Sequence, residues 1–117
     1  MIIYKILLRE GDKLAKFEHT QGIGRVTFDK TLTVYCPLGH DYYTAHITVQ
    51  FTPGAVMMDY LDEEEFFNNN IQGQSLIIED VVARVYQHLQ EEYKPKYLKV
   101  SVRAENAKHF PVTVEKE

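Results

Sequence analysis

One thiol and one carboxylate carry most of the chemistry open to this chain. Cys36 is the only cysteine among 117 residues, and it closes a strand-like run at Tyr35-Cys36-Pro37. Glu79 follows an apolar Leu76-Ile77-Ile78 run, near the start of an amphipathic stretch. A thiolate attacks electrophilic carbon. A carboxylate accepts two parallel N–H bonds from the amidine edge of a guanine-like ring. Brought together by a fold, the two would form a covalent-chemistry site for a purine- or pterin-like base.

Each residue also has a plainer role. A cysteine at a strand end packs as a small hydrophobe, and reactivity requires a pKa depressed by a helix N-terminus or a cation. A glutamate in a first helical turn is favoured by the helix dipole whatever it binds. Asp41 reads as a turn residue or as a proton donor. Asp80 faces solvent, and the Asp62 to Glu65 run reads as an exposed helix face.

The elements that must position these groups follow from periodicity. Residues 2–8 read as a strand, and Gly11, Gly22 and Gly24 frame a polar loop. A strand is expected from Arg25 to Tyr35. The next, Tyr42 to Thr52, alternates more cleanly, with Tyr43, Ala45, Ile47, Val49 and Phe51 on one face and Thr44, His46, Thr48 and Gln50 on the other. Pro53-Gly54 ends it. Residues 61–69 suggest a short acidic helix. Ser75 is placed to cap a longer one running to about Tyr93, with Ile78, Val81, Val82, Val85 and Leu89 as its apolar stripe. Strands Tyr97 to Arg103 and Phe110 to Val114 close the chain. The order, ββααββ behind one extra strand, implies a single α+β domain over 1–117: an antiparallel sheet with two helices on one face. Its polar face and its edges are then available to other subunits.

Bulk properties narrow the field. The chain is 44% hydrophobic and 26% charged, with a net charge of −4, which argues against non-specific binding to nucleic acid. Lys94, Lys96, Lys99, Arg103 and Lys108 gather towards the C-terminus and read as solvated lysines and arginine, so a nucleic-acid partner is possible but not indicated. A lone cysteine fits a reducing compartment. The N-terminal apolar run is too short for a membrane span and lacks a signal-peptide cleavage region, so the expected location is the cytoplasm, with no membrane partner.

Four blocks carry a family resemblance: Cys36-Pro37, Phe51-Thr52-Pro53-Gly54-Ala55-Val56, Ile78-Glu79-Asp80 and Pro95-Lys96-Tyr97-Leu98-Lys99-Val100. Over about Phe28 to Val114 the chain resembles the tunnelling-fold superfamily, homo-oligomeric barrels that bind purines or pterins between subunits through a glutamate. At these spacings it is most similar to the 7-cyano-7-deazaguanine reductase (QueF) family. The resemblance implies that Cys36 attacks the substrate nitrile to form a thioimide and that Glu79 holds the base.

Three positions depart from that pattern. Tyr43 stands where the general-acid aspartate falls, leaving Asp41 as the candidate proton donor, and Ile78 stands where a histidine precedes the glutamate. The segment that carries the NADPH-binding lysines is here the acidic Met57 to Glu65. Its charges repel a dinucleotide phosphate, so no NADPH is expected. A short QueF-like branch also lacks those lysines, and an amine attacks its thioimide to give the amidine of archaeosine-type bases. The chain's length and its Pro53-Gly54-Ala55-Val56 block are similar to that branch.

Two pterin enzymes of the same superfamily are alternatives. Cys36-Pro37-Leu38-Gly39-His40 resembles the motif of 6-pyruvoyl- or 6-carboxy-tetrahydropterin synthases, with His19 as an upstream zinc ligand. Leu38 stands where the first histidine of the pair belongs, and two histidines fall short of the three ligands of a catalytic zinc, so no metal is expected. A dihydroneopterin-aldolase-like reading pairs Glu79 with Lys99 and Tyr42 or Tyr43 as proton carriers. A further alternative is a non-catalytic binding or assembly subunit, favoured by Tyr43. The leading expectation is a ring-forming subunit with Cys36 and Asp41 catalytic, Glu79 binding a purine- or pterin-like base, and no cofactor.

Overall fold

A computed structural model of the protein describes residues 22–117. The strand expected at 2–8, Gly11 and His19 lie outside the described residues. The described chain runs β1 (Val26–Cys36), β2 (Asp41–Thr52), α1 (Tyr60–Asn70), α2 (Ile78–Tyr93), β3 (Tyr97–Asn106) and β4 (His109–Lys116). The strands form one sheet in the order β1-β2-β3-β4, with every neighbouring pair antiparallel. This is the expected α+β arrangement, ββααββ with an antiparallel sheet.

Strand alternation decides the two faces. Tyr43, Ala45, Ile47, Val49 and Phe51 of β2 are buried, as are Leu32 and Val34 of β1 and Leu98, Val100, Val102 and Ala104 of β3. Val81, Val82, Val85, Leu89 and Tyr93 of α2 complete the core against them, with α2 lying on β3 and β4. Helix α1 contributes Phe67, whose ring meets that of Phe28 edge-on at 6.1 Å. The sheet's other face is polar. There Thr48 donates to Asp29 at 2.8 Å, and His46 bridges Thr31 and Glu105.

Two expectations need correction. Ser75 does not cap α2; Ile77 occupies that place and makes no side-chain cap. Backbone pairing has claimed the segment first: Tyr35 N–H donates to Gln74 O at 2.9 Å, Leu76 N–H to Tyr35 O at 2.9 Å, and Gly73 N–H to Thr33 O at 2.8 Å. Residues 73–76 thus extend the edge of β1 in parallel, and the helix begins where that pairing ends. The acidic run is not exposed throughout either. Glu63 is 2% exposed, and its carboxylate accepts from Tyr93 Oη and His88 Nε2, both at 2.8 Å, so it ties α1 to α2. A buried carboxylate is tolerable only with partners of this kind.

The return into β3 is equally constrained. Lys94 takes a left-handed conformation (φ 44°), its N–H donating to Gln90 O as α2 ends. Lys96 N–H then donates to Thr52 O at 2.8 Å, which starts β3 beside the end of β2. The Lys94 carbonyl passes so close to Gly54 that a Cβ there would sit 2.5 Å from its oxygen. Gly54→Ala is expected to destabilise the fold by about 1–3 kcal/mol through this clash, read as a lower midpoint in urea unfolding with an unchanged m-value.

Candidate functional site

Cys36 and Asp41 are the last residue of β1 and the first of β2, and they face one another directly in register. Pro37 to His40 make the turn between them, with His40 left-handed at φ 55°. Within the turn the Gly39 N–H donates to Cys36 Sγ at 3.5 Å. Alternation puts Cys36 in line with Leu32 and Val34, and Asp41 in line with Tyr43 and Ala45, all on the helix-covered face. The core ends here, because α2 begins only at Ile78. A cavity of about 330 Å³ is left, within the roughly 300–1,000 Å³ typical of small-molecule sites.

Four segments line it. The β1–β2 hairpin supplies Cys36, Gly39, Asp41 and Tyr43, and the first turn of α2 supplies Ile78 and Glu79. From β3, the β3–β4 turn and β4 come Ala104, Asn106, Lys108, His109 and Val112. The three residues singled out from sequence, Cys36, Asp41 and Glu79, therefore share one cavity. Cys36 is half-buried, and Glu79 is exposed at the wall.

Asp41 is held on three sides. Lys108 Nζ lies 3.0 Å from Oδ2, the Tyr42 N–H donates to Oδ1 at 2.8 Å, and Asn106 Nδ2 donates to Oδ2 at 3.3 Å. The Lys108 bond, then those from Tyr42 and Asn106, lower the Asp41 pKa below the ordinary aspartate value. At neutral pH this carboxyl is ionised. Asn106 also donates to Tyr42 O at 2.7 Å and accepts from Lys108 N–H at 2.7 Å, so it clamps the two hairpins together where the β3–β4 register slips.

Tyr43 is 6% exposed, and its hydroxyl donates to Leu76 O at 2.7 Å. Burial, reinforced by the nearby Cys36, Glu79 and Asp80, raises its pKa far above the ordinary phenol value. The residue standing at the resembled family's aspartate position is thus a protonated strut between β2 and the start of α2.

Other sequence candidates are not gathered here. Lys99 is on the polar sheet face, 3.6 Å from Glu115, and Tyr42 is exposed against Tyr35. His40 is exposed in the turn. Among the described residues no group of three or more histidine, cysteine, aspartate or glutamate side chains is arranged to hold a metal ion. Lys99, Arg103 and Lys108 each face a carboxylate, which offsets the basic cluster seen in the sequence. Among the described residues no helix is long and apolar enough to cross a membrane.

Asn106, Lys108 and His109 were not singled out from sequence as site residues. A topological signal for them exists: β3 runs back along β2, so its end must return to the Asp41 end of the sheet and bring the β3–β4 turn with it.

No family model matches the chain, and no curated protein matches it. Among the solved structures that match is the crystal structure of the archaeosine synthase QueF-Like in the apo form. It has a TM-score of 0.72 and 16% sequence identity, and the match covers 82% of this chain and 94% of that one. The two share a fold.

The depressed Asp41 pKa has a definite sign. A carboxyl whose pKa is lowered on folding contributes stability above its unfolded value, and that contribution is lost as pH falls through the folded value. Lys108→Met is expected to be slightly less stable than wild type at pH 7, and the two should converge once acid protonates Asp41. Thermal unfolding of both proteins across pH 2–7 checks this, with an NMR titration of the Asp41 carboxyl giving the midpoint below the ordinary value.

Proposed function

We propose that this protein is a QueF-like protein of 7-deazaguanine metabolism that binds a purine-like base and attacks its nitrile through Cys36. One observation carries the reading: the single thiol, the Glu79 carboxylate and Asp41 line the same small-molecule-sized cavity. Glu79 accepts the N–H groups of the base's amidine edge, which seats the ring against Ile78, Ala104 and Val112. The nitrile carbon then meets Cys36 Sγ, where the Gly39 N–H stabilises negative charge as it develops. The structural likeness to an archaeosine synthase supports the same direction.

The thioimide so formed is resolved by an amine or ammonia, which yields an amidine and returns the thiol. Neither step changes oxidation state, so no reductant is called for. The acidic stretch Asp59 to Glu65 is consistent with a protein that does not hold NADPH. Asp41 has the proton-donor role expected from sequence only if its proton is supplied on binding, since its carboxyl is ionised at neutral pH.

Assembly into a ring belongs to the same proposal. The exposed side chains of Leu38 (77%) and Phe110 (76%) flank cavity residues Gly39 and His109. A neighbouring subunit placed there would cover both and roof the cavity.

A second reading is a binding or assembly subunit without catalysis. It is favoured by Tyr43, which fills an acid's position with a hydroxyl committed to Leu76 O.

Intact-protein mass spectrometry after incubation with 7-cyano-7-deazaguanine separates the two. The first reading expects a mass gain equal to the nitrile, absent in Cys36→Ala and requiring about 10- to 100-fold more ligand in Glu79→Gln, the cost of a charge-assisted hydrogen bond. Binding of the base with no adduct in the wild type favours the second. An adduct that persists in Cys36→Ala contradicts the first.

A further inference from the structure

We propose that His109 is the proton carrier for Cys36, an assignment that rests on the nitrile-directed reading above. The other ionisable groups lining the cavity are committed. Tyr43 donates its hydroxyl proton to Leu76 O, and Asp41 is bound by Lys108, Asn106 and the Tyr42 N–H. Lys108 answers the Asp41 charge, and Glu79 holds the base. Among the described residues, His109, at the start of β4, is the imidazole on the wall. Histidine is the side chain suited to move a proton near neutral pH.

Its tautomer is set by the backbone. His109 Nδ1 lies 2.7 Å from Phe110 O. A carbonyl only accepts, so Nδ1 carries the hydrogen and the lone pair of the neutral ring is on Nε2. Among the described residues no protein group meets Nε2. Such a ring can take a proton and hand it on without breaking any bond that holds the fold.

The step balances without a co-reactant. Nε2 takes the proton of the Cys36 S–H as the S–C bond forms to the nitrile carbon. One C–N π bond breaks, and the developing nitrogen anion takes that proton back from Nε2–H. In the amine step Nε2 accepts the proton of the attacking amine and returns it to the departing sulfur. His109 thereby acts as base and acid in turn, with no proton drawn from Asp41.

Cys36 is the chain's only thiol, so its alkylation by iodoacetamide can be followed on the full chain by intact mass across pH 5–10. His109→Gln and His109→Asn are expected to react about tenfold more slowly than wild type near pH 7 and at the same rate at high pH, where the thiolate is complete. Formation of the nitrile adduct in the same variants should fall by about 10²- to 10⁴-fold, with partial recovery on adding free imidazole. Alkylation profiles that superimpose in wild type and both variants overturn the proposal. An adduct that forms equally fast with and without His109 also overturns it, while leaving Cys36 as nucleophile. A histidine effect on alkylation with no nitrile adduct in the wild type upholds the His109–Cys36 couple and removes the nitrile as its target.

Discussion

The placement of the site depends on a short backbone contact, the pairing of residues 73–76 with the edge of β1. Hydrogen bonds at Thr33 and on both sides of Tyr35 seat this segment immediately before Cys36, and the Tyr43 hydroxyl pins its last carbonyl at Leu76. Helix α2 can then begin in one place only, with Ile78 and Glu79 beside the β1–β2 hairpin. Without that docking the apolar stripe of α2 would still find the sheet, but nothing would bring Glu79 to the thiol. A local main-chain interaction thus converts a generic two-layer packing into a cavity lined by a thiol and two carboxylates.

Tyr43 has a double consequence. Its ring completes the core at the hairpin end, and its hydroxyl donates to the Leu76 carbonyl. The same commitment takes a proton source out of the cavity. Asp41 occupies the next inward-facing position, but its ties to Lys108 and Asn106 keep it a carboxylate. Charge and hydrogen bonding therefore tie Tyr43, Asp41, Lys108 and Asn106 into the structure of the cavity wall, and the proposed chemistry falls to Cys36, Glu79 and His109.

Much of the fold was legible because strand alternation is a strong local signal. The polar and apolar sets of β2, from Tyr43 to Phe51, are divided between the faces as their spacing implies, and four of the five residues in the α2 stripe are buried. Ile78, the fifth, lines the cavity instead. What was not legible depended on competition or distance. Ser75 has a good capping side chain, but β1's edge offers its neighbours main-chain partners first. Glu63 reads as one more surface acid, and only the approach of His88 and Tyr93 from α2 makes its burial tolerable. Asn106, Lys108 and His109 lie far from Cys36 in sequence, and only the return of β3 along β2 brings them to it.

The proposed function requires that the cavity between the two hairpins and the start of α2 hold the ligand. Chemical-shift mapping on ¹⁵N-labelled Cys36→Ala protein, titrated with 7-cyano-7-deazaguanine, tests it directly without interference from covalent chemistry. Saturable shifts of the Gly39, Glu79, Asn106 and His109 amides are expected, with the polar-face residues Thr48 and Gln50 unmoved. Shifts confined to that polar face, or none at any ligand concentration, would contradict it.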